Sequence, residues 1–95
     1  MNRWELLDTA DIPRNGGQLR LLRRSDEFSI RISGSQGDLM NSRTHGSEDA
    51  LGELGCAHCR TAESARVLIG GLGMGFTLAA ALDSLPTDAT IEVAE

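Results

Sequence analysis

Ninety-five residues are enough for one small domain with a modest core, but not for two. A formal net charge of −5 argues against general nucleic-acid binding, which needs a basic face to neutralise phosphates. The chain has no lysine, which also excludes a phosphate-binding P-loop and Schiff-base chemistry.

We expect no signal peptide, because residues 1–5 lack a long apolar stretch. The apolar span 67–82 contains four glycines and is shorter than the roughly 20 residues that cross a membrane. We therefore expect no membrane association. Two cysteines without a secretory signal indicate a reducing cytoplasm.

Residues 1–46 predict a small antiparallel β-hairpin region. Two segments on either side of Ser25-Asp26 have the composition of paired strands, and shorter strands are expected before and after them. In the second hairpin strand Phe28, Ile30 and Ile32 alternate with polar residues, which predicts one buried face. The predicted strands are residues 4–8, 18–24, 27–33 and a short one from 38.

A linking helix is predicted to open the second region, residues 47–95. Ser47 is the expected N-cap, and Glu48 and Asp49 would complement the helix dipole in the first turn. The helix is predicted to run to about Leu54 and to stop at Gly55. A polar connection, residues 56–64, would follow.

This connection contains Cys56-Ala57-His58-Cys59, which raises the question of a metal site. Zinc requires four ligands in tetrahedral geometry, and a second Cys/His pair at suitable spacing is missing. A disulfide between the two cysteines would close a small strained ring. We expect two reduced thiols and no metal.

The last third of the chain reads as strand, glycine turn, helix and strand. An apolar run at residues 67–69 breaks into glycines, and residues 76–85 have helix-forming composition up to Pro86. A second strand-like run, Thr90–Ala94, ends in Glu95. This order is typical of the first β-α-β unit of a Rossmann-like sheet.

Each glycine has a separate role in such a turn. Gly71 would let the chain leave the strand sharply, Gly73 would let backbone amides approach a ligand, and Gly75 would let the helix pack closely. The dinucleotide fingerprint G-x-G-x-x-G would need a third glycine where Phe76 stands. Glu95, twenty residues after Gly75, lies where a Rossmann-type site places the carboxylate that binds ribose hydroxyls.

Residues 67–78 and 91–95 resemble the class I S-adenosylmethionine-dependent transferases, and most closely the spermidine-synthase-like proteins. These typically read Ile-Gly-Gly-Gly-Asp-Gly-Gly-Thr at the turn, where this chain reads Ile-Gly-Gly-Leu-Gly-Met-Gly-Phe-Thr. The resemblance implies a co-substrate that is S-adenosylmethionine or its decarboxylated form. It also implies that Glu95 holds the ribose, and that the following residues hold the rest of the ligand: Gly71, Leu72, Gly73, Met74 and Gly75.

The segment that precedes the linking helix is the second candidate for substrate or cofactor contact. It contains Asn41, Arg43 and His45. Arg43 could pair with the carboxylate of the methionine moiety, and His45 could serve as a donor or a general base. Spermidine synthases hold the polyamine with a Tyr-His-Glu run here, of which only Glu48 is matched, so that polyamine aminopropyl transfer is not supported.

The predicted function is therefore that of the N-terminal portion of a transferase for methyl or aminopropyl groups, acting on a small-molecule acceptor. Only the first two strands of the expected sheet are found, so the chain alone is expected to be inactive and to bind S-adenosyl ligands weakly or not at all. One alternative is a non-catalytic module that completes its sheet by self-association through open strand edges. A dinucleotide-binding fragment is a further alternative, weakened by Phe76.

Overall fold

A computed structural model describes residues 3–95. Although the length predicts one domain, the chain divides into two compact units, one ending at Thr44 and the other comprising His45–Glu95. The predicted boundary lay after residue 46. The elements are β1 (Glu5–Asp11), β2 (Gln18–Arg24), β3 (Glu27–Ile32), β4 (Met40–Asn41), α1 (Gly46–Cys56), a 3₁₀ helix (Ala57–Cys59), β5 (Arg66–Gly70), α2 (Phe76–Ser84) and β6 (Thr90–Ala94).

The first unit is a four-stranded antiparallel sheet in the order β1-β2-β3-β4. The predicted hairpin is confirmed, with Arg24 opposite Glu27 and Ser25 in the left-handed region at φ 56°. Strand β1 is longer than predicted, because it follows β2 along its length past a bulge between Leu6 and Asp8. The short strand expected from residue 38 begins at Met40.

The buried face predicted for β3 is wrong in part. Phe28 is 37% exposed, whereas Ser29 on the opposite face is fully buried. Burial of Ser29 is possible because its hydroxyl donates to the carboxylate of Asp38, and Arg31 Nε donates to the same carboxylate at 3.2 Å. A polar group whose hydrogen bonds are satisfied can be buried at little cost, which allows Ser29 to be the buried residue of β3.

Helix α1 differs from prediction at both ends. Its N-cap is His45, whose side chain makes no capping hydrogen bond, and Ser47 lies within the first turn. Gly55 does not stop the helix, which continues through Cys56 into the 3₁₀ helix. A glycine inside a helix costs only about 1 kcal/mol relative to alanine, and packing of α1 on α2 can offset this.

The second unit contains the predicted strand, turn, helix and strand. Strands β5 and β6 are parallel, with Arg66 opposite Thr90 and Gly70 opposite Ala94. Helix α2 ends at Ser84, and Leu85 is extended, as expected before a proline. The chain is therefore a mixed α/β protein.

The core of this unit lies between the helices and one face of β5. Cys56, Ile69 and Ala81 are buried together, and Val67, Leu78, Leu85 and Ile91 pack around them. The helices approach most closely at Gly52, where a Cβ atom would lie 2.7 Å from both the Ala80 Cβ and the Thr77 carbonyl oxygen. Glycine at this position therefore sets the spacing of α1 and α2.

Within residues 3–95, neither helix has the length and apolar composition to cross a membrane.

Candidate functional site

The glycine turn, residues 71–75, follows the carboxyl end of β5 and leads into α2. Three of its residues have left-handed backbone angles: Gly71 at φ 82°, Gly73 at 56° and Gly75 at 86°. Side chains disfavour this conformation, which explains why glycine occupies all three positions. Gly75 is the N-cap of α2, so the turn ends where the first amides of the helix lack intrahelical partners.

Backbone hydrogen bonds hold both ends of the turn. The Gly71 amide donates to the Ala94 carbonyl at 2.7 Å, and the Gly75 amide donates to the Leu72 carbonyl at 2.9 Å. Within the described chain no group accepts the amides of Gly73 and Met74. These two donors at the middle of the turn can therefore meet a ligand.

Glu95 lies at the same turn. Its carboxylate accepts a hydrogen bond from the Leu72 amide, and the adjacent Ala94 carbonyl accepts one from Gly71. A carboxylate has acceptor positions on both oxygens, so one amide bond leaves capacity for hydroxyl groups. The structure thus places Gly71, Leu72, Gly73, Met74 and Gly75 together with Glu95 at the carboxyl end of two parallel strands, where open α/β sheets bind ligands.

His45 lies beside this turn, through a contact that the sequence did not reveal. Its ring stacks on Phe76, the residue after Gly75, with a centroid distance of 3.9 Å and an interplanar angle of 9°. Its Nδ1 lies 2.8 Å from Oδ2 of Asp49. The signal that could have identified Asp49 is its spacing, because residues i and i+4 face each other on a helix.

Asn41 and Arg43 lie in the first unit, where their side chains are already engaged. Asn41 Oδ1 accepts the amides of Arg43 and Thr44, both at 2.9 Å, in the manner of an Asx turn. Arg43 forms two ion pairs: its Nε lies 3.5 Å from Oε2 of Glu27, and its Nη2 lies 3.6 Å from Oδ2 of Asp38. These contacts give both residues a structural role within the β region.

Asp38 is the centre of that network. Its pKa lies below the ordinary value because the Ser29 hydroxyl, Arg31 and Asn41 donate to the carboxylate and favour its charged form, against a smaller opposing effect of burial. The network joins Asn41 and Arg43 to strand β3 through Asp38.

Cys56 and Cys59 are free thiols. Cys56 is buried against the core, and burial, with a smaller contribution from Cys59, raises its pKa above the ordinary value. A raised pKa disfavours the reactive thiolate. Among the described residues no group of three or more His, Cys, Asp or Glu side chains is arranged to hold a metal ion.

The part of the chain that contains the turn is acidic in composition. Residues 67–95 contain Asp83, Asp88, Glu92 and Glu95 and no basic residue.

Comparison of the chain with protein-family models, with curated proteins and with solved structures finds no match to any of them.

Proposed function

We propose that the second unit binds an S-adenosyl ligand, as part of a spermidine-synthase-like, S-adenosylmethionine-dependent transferase with a Rossmann-like sheet. The observation that carries the proposal is the position of Glu95, whose carboxylate accepts a hydrogen bond from the Leu72 amide of the glycine turn. One ligand could therefore bind both the amides of the glycine turn and the carboxylate of Glu95.

The residues present fit the two ends of such a ligand. The amides of Gly73 and Met74 would face its methionine and sugar portion, and Glu95 would accept the ribose hydroxyls at the acceptor positions that its bond to Leu72 leaves open. When bound, S-adenosylmethionine or its decarboxylated form supplies an electrophilic carbon next to a sulfonium. The role of this chain is then to bind and orient the ligand for transfer of a methyl or aminopropyl group to a small-molecule acceptor.

A dinucleotide is the less favoured ligand. The ring of Phe76 occupies the place of the third fingerprint glycine and packs against His45. The absence of basic residues from 67–95 also disfavours a pyrophosphate, whereas an S-adenosyl ligand carries none. We further propose a cytoplasmic location, consistent with the two free thiols.

Isothermal titration calorimetry tests this proposal. S-adenosylhomocysteine and methylthioadenosine should bind weakly but saturably, and NAD should give no heat of binding. Glu95→Gln should weaken binding of both S-adenosyl compounds, because an amide accepts hydroxyl hydrogens less strongly than a carboxylate. Glu92→Gln is the matched control, since Glu92 lies in β6 on the strand face opposite Ile91. Equal binding of NAD, or identical affinities for the two variants, would contradict the proposal.

Self-association is a second candidate function, favoured by the exposed apolar surface of the second unit. Leu68 is 70% exposed, and Leu51 and Leu54 are 65% and 76% exposed. An open apolar groove of about 210 Å³ lies between α1 and β5. Within the described chain β5 pairs with β6 alone, which leaves strand edges that a second copy could extend.

Sedimentation velocity over a range of concentrations tests this candidate. A self-associating chain should show a concentration-dependent dimer that Leu68→Gln weakens, because Leu68 lies on the uncovered face of the sheet. A strict monomer at all concentrations would exclude it.

A further inference from the structure

The His45 ring is held by two independent contacts. Stacking on Phe76 at 3.9 Å fixes the plane of the imidazole, and the 2.8 Å contact of Nδ1 with Asp49 fixes its rotation within that plane. His45 is the N-cap residue of α1, yet its side chain does not cap the helix. The side chain is therefore held by Phe76 and Asp49 and not by the first amides of the helix.

The Asp49 contact decides which ring nitrogen carries the proton in neutral His45. An ionised carboxylate only accepts hydrogen bonds, so the neutral imidazole must carry its hydrogen on Nδ1. Nε2 then presents a lone pair. The side chain is 33% exposed, and no hydrogen-bond partner of Nε2 is found among residues 3–95.

The position of the ring connects it with the glycine turn. Phe76 is the first residue of α2 and directly follows Gly75, so the imidazole stacked on it stands at the helix end of the turn. Close packing of the helices at Gly52 keeps this end of α1 against α2. The imidazole is thus held by elements of the same unit, stacked on the residue that directly follows the glycine turn.

We propose that His45 and Asp49 form a proton-accepting pair that takes the proton from the acceptor nucleophile during transfer, an assignment that rests on the proposed function. The acceptor would carry an N–H, O–H or S–H group. A bound sulfonium supplies the electrophilic carbon and keeps the electron pair of the breaking carbon–sulfur bond, while the acceptor's lone pair forms the new bond. His45 Nε2 receives the acceptor's proton, and Asp49 stabilises the resulting imidazolium.

The first test is the tautomer of the two histidines, read from long-range ¹H–¹⁵N NMR spectra of the full chain in mildly alkaline solution. His45 should be protonated on Nδ1, whereas His58, on the 3₁₀ helix, serves as the internal reference. Asp49→Asn should remove this preference, and Glu48→Gln, an exposed neighbour on α1, should leave it unchanged. A neutral His45 protonated on Nε2 in the wild-type chain would overturn the proposal.

The second test is acylation of the histidines by diethyl pyrocarbonate, followed by mass spectrometry. His45 should react faster than His58, and Asp49→Asn should lower its rate to that of His58, with the amide spectrum confirming an intact fold. S-adenosylhomocysteine should protect His45 and not His58. An acylation rate that does not depend on Asp49 would overturn the pair.

A ¹H–¹⁵N amide titration with S-adenosylhomocysteine, read together with the acylation experiment, separates the two proposals. If S-adenosylhomocysteine shifts the amides of Gly73 and Met74 but does not protect His45, the proton-accepting role is wrong and the proposed function stands. If it shifts neither amide, the proposed function fails and the role of His45 in transfer fails with it.

Discussion

Gly52 and Gly55 are three residues apart on α1 but have opposite surroundings. A Cβ atom at Gly52 would lie 2.7 Å from atoms of α2, while one at Gly55 would meet nothing within 4 Å. The first glycine is required for helix packing. The second only weakens the helix, because glycine has more conformational freedom to lose on folding.

Alanine at these two positions should therefore have opposite effects on the free energy of unfolding. Gly52→Ala should lower it by about 1–3 kcal/mol through overpacking. Gly55→Ala should raise it by roughly 0.5–1 kcal/mol through helix propensity. Urea unfolding followed by circular dichroism measures both, and equal effects of the two variants would contradict the close approach of α1 and α2.

Asp38 makes the stability of the first unit depend on pH. Its pKa is below the ordinary 3.8 in the folded chain, so the unfolded state binds the proton more readily. The stabilisation is complete above the unfolded pKa and is lost as the pH falls through the lower, folded pKa.

The free energy of unfolding should therefore fall less steeply with decreasing pH in Asp38→Asn than in the wild-type chain. The variant should be less stable near neutral pH, where the charged carboxylate otherwise accepts from Ser29 and Arg31. Asp26→Asn, in the exposed β2–β3 turn, is the control. Urea unfolding at a series of pH values between 2 and 7 measures this, and an unchanged acid limb in Asp38→Asn would contradict the assignment.

At the scale of elements, β5 separates a covered face from an open one. Ile69 is 7% exposed and packs against Cys56 and Ala81, whereas its neighbour Leu68 is 70% exposed. Adjacent strand residues point to opposite faces, so the helices cover only the side of Ile69.

Truncation of these two neighbours should show the difference directly. Ile69→Ala should lower the free energy of unfolding by about 2–5 kcal/mol, because it removes buried methyl groups and leaves a cavity. Leu68→Ala should change it by no more than about 0.5 kcal/mol. Thermal and urea unfolding of the pair measure this, and a large loss in Leu68→Ala would mean that another surface covers that face.

The elements that could be predicted from the sequence are those set by local patterns. The glycines of the turn, the proline after α2 and the alternation in the hairpin fixed the positions of β2, β3, β5, α2 and β6 to within one or two residues. The predicted α1 began two residues late and ended two residues early. The buried side of β3 could not be predicted, because Ser29 is buried with a hydrogen bond to Asp38, nine residues further along the chain.

For the molecule as a whole, the buried core is small. Within residues 3–95 the buried apolar side chains are Cys56, Ala65, Ile69 and Ala81, all of them in the second unit. The fully buried side chain of the first unit is Ser29. Hydrophobic burial is the main favourable term in folding, so little of it predicts low stability.

Calorimetry of the full chain should therefore show a broad transition at or below about 45 °C, the lower end of the range for mesophilic domains. A saturating ligand of the second unit should raise the midpoint, because it binds the folded state alone. A sharp transition above about 65 °C would contradict the thin core.

The candidate site was predictable to the extent that it depends on spacing. The strand–turn–helix order and the distance from Gly75 to Glu95 indicated that the acid would lie at the turn, and its carboxylate accepts the Leu72 amide. The contact of Phe76 with His45 could not be predicted because it joins α2 to the start of α1. The contact of Asp49 with His45 was missed although its i, i+4 spacing indicates it. Arg43 was a candidate partner for a ligand carboxylate, and in the structure it lies in ion pairs with Glu27 and Asp38.

The most direct measurement is a ¹H–¹⁵N amide titration of the full chain with S-adenosylhomocysteine. The amides of Leu72, Gly73 and Met74 should shift together along one saturation curve, and Glu95→Gln should weaken that curve while Glu92→Gln leaves it unchanged. Saturable shifts elsewhere in the chain, with these three amides unmoved, would contradict ligand binding at the glycine turn.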